Sequence, residues 1–325
     1  MKMISMSHAI REALFEEMQR DDAVFVMGED LGRMGNPFGI TKGLLDTFGA
    51  DRVLDTPISE SAFTGMAVGA ALRGLRPVIE LMYIDFVGVC MDQVMNQAAK
   101  MRYMTGGQVH VPMVIRAPMG SGRRNAGQHS QCLETLFTHI PGLKVVAPST
   151  PADAKGLLKA AIRDEDPVVF IEHKLLYAKK GPVPEAEEAI PLGQARIARE
   201  GTDISIISWS QQLQFALEAA ETLQEEGISA EVLDLRTLVP LDWDAICRTV
   251  RKTHNVLIVQ EGCRRSGYAG ELSAQIQEEL FDELDSPVGR VAAMNVVPPF
   301  SPPLEDAFFP HAQDTVRAVH AQLNR

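Results

Sequence analysis

The chain has 325 residues, of which 46% are hydrophobic and 23% charged. That excludes a disordered chain or a disulfide-stapled mini-protein and leads us to expect about two domains. Acidic residues outnumber basic ones 43 to 31, and the formal charge of −12 argues against a nucleic-acid or anionic-membrane partner, whose phosphates would repel it.

The first residues turn amphipathic and acidic quickly, unlike a signal or transit peptide, and no run approaches the ~18 apolar residues of a membrane span. A cytoplasmic protein is expected. Ser7 is a candidate cap for a first helix in which Ile10, Leu14 and Met18 recur at helical spacing. Strands are expected at Val24–Met27, Pro77–Leu81, Met113–Arg116, Leu143–Ala147 and Pro167–Glu172. A long helix is expected from Phe86 to Met101, and another from Pro151 to Ile162 with Thr150 as its cap. Around Pro182, Pro184 and Pro191 the composition shifts, with Glu185, Glu187 and Glu188 between them, as in an extended, solvated linker. Beyond it, strands at Ile204–Ser208, Ala230–Leu235 and Val256–Gln260 alternate with helices at Gln211–Glu226, Asp242–Lys252 and Gly270–Leu280. Such alternation is the pattern of parallel sheets covered by helices, in two α/β domains. The four cysteines, Cys90, Cys132, Cys247 and Cys263, form no CxxC pair and read as buried reduced thiols.

Two loops carry candidate chemistry. Asp55-Thr56-Pro57-Ile58-Ser59-Glu60 runs into a helix of small residues, Gly65 to Ala71. Glu60 there reads either as an acid compensating the helix dipole or as a buried carboxyl held for proton transfer. His129 follows the glycine-rich stretch Gly120-Ser121-Gly122-Arg123-Arg124, which could cradle phosphate but lacks the patterns that specify such a loop. A lone loop histidine is more often a satisfied structural residue than a catalytic one.

Ordered motifs extend over nearly the whole chain: MGED at 27–30, DTPISE at 55–60, GLRP at 74–77, DQ at 92–93, NQAAK at 96–100, QHSQ at 128–131, PGLKVV at 141–146, DAKGLL at 153–158 and VLDLRTLVPLD at 232–242. On these the chain resembles the beta subunit of the thiamine diphosphate-dependent, decarboxylating component of 2-oxo acid dehydrogenase complexes. EHKLLY at 172–177 is most similar to the acetoin and bacterial pyruvate dehydrogenase branch.

The resemblance implies an α/β fold of two doubly wound domains: a transketolase-like pyrimidine-binding domain over 1–180, a linker over 181–195 and a transketolase C-terminal-like domain over 196–325. It aligns Glu60 with the glutamate that hydrogen-bonds the aminopyrimidine ring nitrogen, and Phe86 with the aromatic residue that packs on that ring. His129 aligns with the histidine facing the reacting centre and the incoming lipoyl arm. A structural potassium site of mostly backbone carbonyls maps to Met113, Ala161, Ile162, Asp164 and Asp166, with aspartate at 166 where some relatives carry asparagine. A carboxyl group at the ring nitrogen favours the cofactor tautomer that can deprotonate its own thiazolium carbon, and a near-neutral histidine can protonate the sulfur leaving a lipoyl disulfide. The GDG that holds Mg²⁺ and diphosphate in thiamine enzymes is absent from the sequence. The family therefore implies an alpha subunit supplying that half of the site, an α2β2 heterotetramer and a lipoyl acyltransferase core as partner. Alternatives are the branched-chain 2-oxo acid branch, or a non-catalytic assembly module of the same fold.

Overall fold

The computed structural model describes residues 1–185 and 189–323. Its elements run β1 (Lys2–Ser5), α1 (Met6–Arg20), β2 (Val24–Gly28), α2 (Leu44–Phe48), β3 (Val53–Asp55), α3 (Glu60–Leu72), β4 (Arg76–Glu80), α4 (Val87–Asp92), α5 (Met101–Met104), β5 (Val114–Met119), α6 (Glu134–Thr138), β6 (Lys144–Val146), α7 (Pro151–Arg163), β7 (Val168–His173) and β8 (Lys180–Val183). They continue with β9 (Arg196–Arg199), β10 (Ile204–Ser208), α8 (Ser210–Glu225), β11 (Ala230–Asp234), β12 (Thr237–Val239), α9 (Trp243–Thr253), β13 (Val256–Cys263), α10 (Tyr268–Leu280), β14 (Gly289–Ala293), α11 (Pro302–Phe308) and α12 (Ala312–Leu323). Two compact units result: Met1–Met119 with Leu136–Leu192, and Gly120–Thr135 with the chain from Gly193 onward.

In the first unit a parallel sheet runs in the order β6-β7-β5-β4-β2-β3. Helix α1 begins two residues earlier than the sequence suggests. Ser5, in extended backbone, accepts the His8 N–H (3.3 Å) as the cap, so Ser7 lies inside the helix. Its apolar face, Met6, Ile10, Leu14 and Met18, packs into a core shared with Leu157, Leu158 and Ile162 of α7. Glu17 is buried between the two helices and pairs with Arg163 (2.5 Å) and Arg20 (2.8 Å). Thr150 caps α7 as expected, accepting the Asp153 N–H (3.2 Å), with Pro151 in the first turn.

The helix expected from Phe86 to Met101 is not continuous. A 3₁₀ turn at Ile84–Phe86 leads into α4, and a π-helical turn at Gln93–Ala98 separates α4 from α5. Cys90 leaves helical geometry (φ −115°, ψ 16°), and the Ala99 N–H reaches back five residues to the Val94 carbonyl (3.1 Å). This widening re-aims the side chains and seats Gln93 over Gly65 of α3, where an added Cβ would stand 3.5 Å from its Cγ. The expected linker is structured where it is described. Lys180–Val183 pairs antiparallel with β1, and Ile190 and Leu192 pack on the first unit's core; Glu187 and Glu188 lie outside the described residues.

At the centre of the sheet lies a charged cluster that apolar patterning does not announce. Arg116 of β5, 2% exposed, donates to Glu80 of β4 (2.6 Å) and, through two nitrogens, to Glu172 of β7 (2.7 and 2.8 Å). Burial works against the guanidinium charge, but Glu172 and Glu80 outweigh it and hold its proton more firmly than usual. Burial also pushes the Glu80 carboxyl above its ordinary range, Arg116 opposing the shift and Glu172 adding to it.

In the second unit, β14-β13-β10-β11-β9 form a sheet that is parallel except for β9. Its core joins Ile206, Val232 and Val259 to Leu213 and Leu223 of α8 and Val316 and Val319 of α12. Glu134 is buried in this unit beside Trp209, with which it shares a hydrogen bond. Burial pushes its carboxyl up to about 7, the hydrogen bonds opposing and the charge of Glu261 adding.

Two stability predictions follow from these buried charges. Arg116→Met strands two carboxylates and should cost roughly 3–5 kcal/mol in urea unfolding at neutral pH. The loss should shrink as the medium is acidified, because protonating Glu80, whose carboxyl burial already pushes up, removes a stranded charge; a variant as stable as the parent at pH 8 would contradict this. For Glu134 the folded-state value lies above the unfolded one, so its contribution is complete below about 4.5 and is lost as pH rises through about 7. That loss is roughly 3 kcal/mol. Glu134→Gln removes the titration, so its melting temperature should fall less between pH 5 and 8 than the parent's; parallel curves would exclude Glu134 as the source.

Candidate active site

Parallel sheets bind ligands beyond the carboxyl ends of their strands, where the direction of strand addition reverses. In the first unit the chain passes from β2 outward to β3 and then back across β2 to β4. Three segments therefore leave this edge side by side: Glu29 directly after β2, the turn leading to Glu60 after β3, and Ile84–Phe86 after β4. Gly28 makes this convergence possible, since a Cβ there would stand 2.7 Å from the Glu80 carbonyl oxygen.

Glu60 is the first residue of α3 and is 6% exposed. It stands at the helix start, where a carboxylate compensates the dipole, and it is buried there. Glu29 is the neighbour that sequence reasoning missed. Burial pushes its carboxyl up, and the charges of Glu60 and Asp30 add to the shift. Burial also raises the Cys90 thiol, with the charge of Glu60 contributing, so α4 too faces this carboxylate. Glu29 lies within the MGED motif, but nothing local in an acidic strand end indicates that a second carboxylate will approach it.

Phe86 is half-buried at the end of its 3₁₀ turn, edge-on to Tyr83 (6.0 Å between ring centroids). Tyr83 is edge-on to Phe38 (6.5 Å), and Phe38 packs on Tyr177 (4.8 Å), whose hydroxyl donates to Glu172 (2.7 Å). Lys174 lies 5.1 Å from the Tyr83 ring centroid. The aromatic face of the crevice is thus continuous with the Arg116 cluster. Asn36 extends the same cluster to the loop after β2: its amide donates to Glu80 (2.6 Å) while its oxygen accepts the N–H groups of Phe38 (2.7 Å) and Ile40 (3.1 Å).

The buried oxygens Glu29 Oε1, Thr56 Oγ1 and Gln93 Oε1 find no hydrogen-bond partner among the described residues. Buried polar atoms are ordinarily paired, so these acceptors fit a ligand that presents N–H donors, as an aminopyrimidine does. No group of histidines, cysteines or carboxylates among the described residues is arranged to hold a metal ion.

The five residues expected around potassium lie at the opposite, amino edge of the same sheet. Met113 immediately precedes β5, Ala161 and Ile162 end α7, Asp164 is its C-cap, and Asp166 precedes β7. They are brought together: Asp164 N–H donates to the Ala161 carbonyl (3.3 Å), Asp166 N–H to Asp164 Oδ1 (2.9 Å), and Val168 N–H to the Met113 carbonyl (3.0 Å). Lys144 holds both Asp164 carboxylate oxygens (2.7 and 2.6 Å), and Arg76 donates to the carbonyls of Ile162 and Asp164 (3.1 Å each). Each carbonyl keeps a second lone pair, and a carbonyl-rich set is the donor chemistry suited to a large monovalent cation.

His129 belongs to the second unit, in the stretch Gly120–Thr135. The loop closes at its base through Gly120 N–H to the Gln131 carbonyl (3.2 Å) and Ser121 Oγ to the Ser130 carbonyl (3.3 Å), and His129 N–H donates to Ala126 (3.3 Å). The phosphate-cradle reading of this loop fails. The Gly122 and Arg124 N–H groups and the Arg124 guanidinium are already directed at a carboxylate, Glu305.

Residues 2–180 match the family Transketolase, pyrimidine binding domain, and residues 193–314 match Transketolase, C-terminal domain. The beta subunit of acetoin:2,6-dichlorophenolindophenol oxidoreductase from Cupriavidus necator is 50% identical over 332 residues, covering 99% of this chain and 98% of the relative. Its counterpart from Bacillus subtilis is also 50% identical, over 99% and 97% of the two chains. The pyruvate dehydrogenase E1 component subunit beta from Rickettsia felis is 46% identical, over 97% of each chain. Among solved structures, a split gene transketolase in an inactive beta4 tetramer shares the fold with a TM-score of 0.82 at 24% identity, covering 99% of this chain and 98% of that one. Matched by both transketolase domains and half identical to these relatives from end to end, the chain belongs to the family of acetoin and pyruvate dehydrogenase E1 beta subunits.

Proposed function

We propose that this chain is the beta subunit of a thiamine diphosphate-dependent component that cleaves acetoin or decarboxylates pyruvate and passes the acyl group to a lipoyl-bearing acyltransferase. The observation that carries the reading is Glu60, buried at the start of α3 beyond the carboxyl end of β3 with Glu29 beside it. In this reading residues 1–180 and 196–325 are the pyrimidine-binding and C-terminal domains, joined by 181–195. Glu60 and Phe86 hold the aminopyrimidine end of thiamine diphosphate. An alpha subunit in an α2β2 heterotetramer holds the diphosphate and Mg²⁺, consistent with the missing GDG. A structural potassium ion sits on Met113, Ala161, Ile162, Asp164 and Asp166, and the complex works in the cytoplasm. The joint presence of Glu60, Phe86 and His129 argues against a non-catalytic assembly module, and no observation favours the branched-chain alternative.

When bound, the cofactor would supply a thiazolium carbon as nucleophile toward the substrate carbonyl and a cationic ring to take up the electron pair released when the carbon–carbon bond breaks. Glu60 holds a proton at the pyrimidine ring nitrogen, a task for which its burial suits it, since low dielectric strengthens a hydrogen bond of this kind. Glu29 adds negative charge to the same crevice and favours a positive partner at Glu60. Phe86 orients the ring by its face and excludes water from it. His129 gives a proton to the sulfur that departs from the lipoyl disulfide, the general-acid role to which an imidazole is suited.

Glu60→Gln keeps the size and a hydrogen-bonding group but removes the ionisable proton. Exchange of the thiazolium proton with deuterated solvent, followed by NMR in the assembled tetramer, should slow, and turnover should fall by roughly 10²–10⁴-fold. A simple helix-start acid would instead cost about 1 kcal/mol or less of stability and leave exchange untouched. His129→Ala should lose most lipoyl-dependent activity while keeping part of its dichlorophenolindophenol reduction. Equal loss in both assays would move its role to the earlier carbonyl chemistry, and no loss in either would make it structural.

A further inference from the structure

The loop that bears His129 is held by three carboxylates from distant parts of the second unit. Glu305 of α11 is fully buried, yet nothing in α11 itself neutralises it. Its Oε1 accepts the Gly122 N–H (2.9 Å), and its Oε2 accepts both the Arg124 N–H (3.2 Å) and the Arg124 Nη1 (2.6 Å). Asp306 takes the other end of the same guanidinium (2.8 Å). Glu261 of β13 accepts the Ser121 N–H (2.6 Å). Three main-chain donors within four consecutive residues are thus anchored by side chains about 140 and 180 positions away. A buried carboxylate is tolerable only when paired and hydrogen-bonded, and all the partners found for Glu305 lie in this one loop.

The loop itself is under constraint. Arg124 (φ 59°) and Ala126 (φ 60°) adopt left-handed backbone, which a residue with a Cβ takes up only when its surroundings enforce it. Gly127 packs so closely on Val297 that a Cβ would stand 2.5 Å from its Cγ1. His129 then closes the turn onto Ala126. We infer that Glu305, with Glu261, is a positioning residue: it fixes Ser121–Arg124, forces the left-handed turn that follows, and thereby presents the His129 imidazole in one place. This deepens the proposed function and rests on the role given there to His129.

The test uses the assembled heterotetramer. Glu305→Gln keeps the volume but places an NH₂ group against the loop's own donors. Lipoyl-dependent turnover should fall roughly 10–100-fold, the scale of a misplaced catalytic group, while dichlorophenolindophenol reduction changes less than about threefold on the same scale. In the His129→Ala background the further loss should nearly vanish, because a residue acting through another is non-additive with it. The same factor in both backgrounds, or no loss in the first, overturns the assignment. Amide hydrogen exchange over residues 121–131 reads the clamp independently of catalysis and should accelerate in Glu305→Gln; unchanged exchange overturns the clamp whatever His129 does. Accelerated exchange together with a His129→Ala variant that retains full lipoyl turnover overturns the reading of His129 instead. Should Glu305→Gln fail to assemble, Arg124→Ala removes only the half-exposed arm of the clamp and should move both readouts in the same direction, by a smaller factor; no movement in either overturns the proposal.

Discussion

Arg116 places one buried positive charge between Glu80 and Glu172, on three adjacent strands, and the loops of the first unit's crevice hang from that cluster. A guanidinium so deep in a sheet is costly to desolvate, and only bidentate pairing to Glu172 together with Glu80 offsets that cost. The carboxylates then do a second task. Glu80 holds Asn36, which knots the loop after β2, and Glu172 holds Tyr177, where the aromatic series leading to Phe86 begins. A hydrophobic replacement could fill the same volume, but it would leave Asn36 and Tyr177 with nothing to orient them. Specific geometry at the crevice, rather than stability, is the physical return on the buried charge.

The crevice concentrates like charges instead of cancelling them. Glu29 and Glu60 stand at the carboxyl ends of β2 and β3, and burial, with the charges of Glu60 and Asp30 adding, pushes the Glu29 carboxyl up. A fold tolerates such a pair when a proton or a cationic partner relieves it. The amino edge of the sheet shows the opposite arrangement. There Arg76, Lys144 and Arg102 answer Asp164, Glu165 and Asp166, as expected where charge serves cohesion rather than chemistry.

Strands with continuous apolar runs were legible in the sequence to within one to three residues at their ends, because both faces of a parallel sheet are buried and local composition alone betrays them. Glu60 was legible through the DTPISE motif and its place before a small-residue helix. What stayed hidden depends on contacts between distant positions. The cap at Ser5 rather than Ser7 is decided by where β1 ends, the π turn at Gln93–Ala98 by the fit of Gln93 against Gly65, and the order in the expected linker by pairing with β1 and packing of Ile190. Glu29, Arg116 and Glu305 have no periodic signature. Each matters because of a partner dozens to nearly two hundred residues away, and no window on the sequence contains both.

The loop over residues 120–135 depends on long-range pairs of the same kind. Residues 120–135 cluster with the second unit although they lie in sequence between strands of the first. A loop anchored only by its own ends would be free to relax its left-handed residues, and the entropy regained would favour doing so. Anchoring it instead on Glu261 and Glu305 transfers the cost of that geometry to a sheet and helix whose cores are already paid in apolar burial. The same logic governs Asn36 and Glu80 in the first unit. In both cases a strained or polar segment is held by a buried carboxylate on a regular element, so its geometry derives from a part of its own unit that apolar packing already fixes.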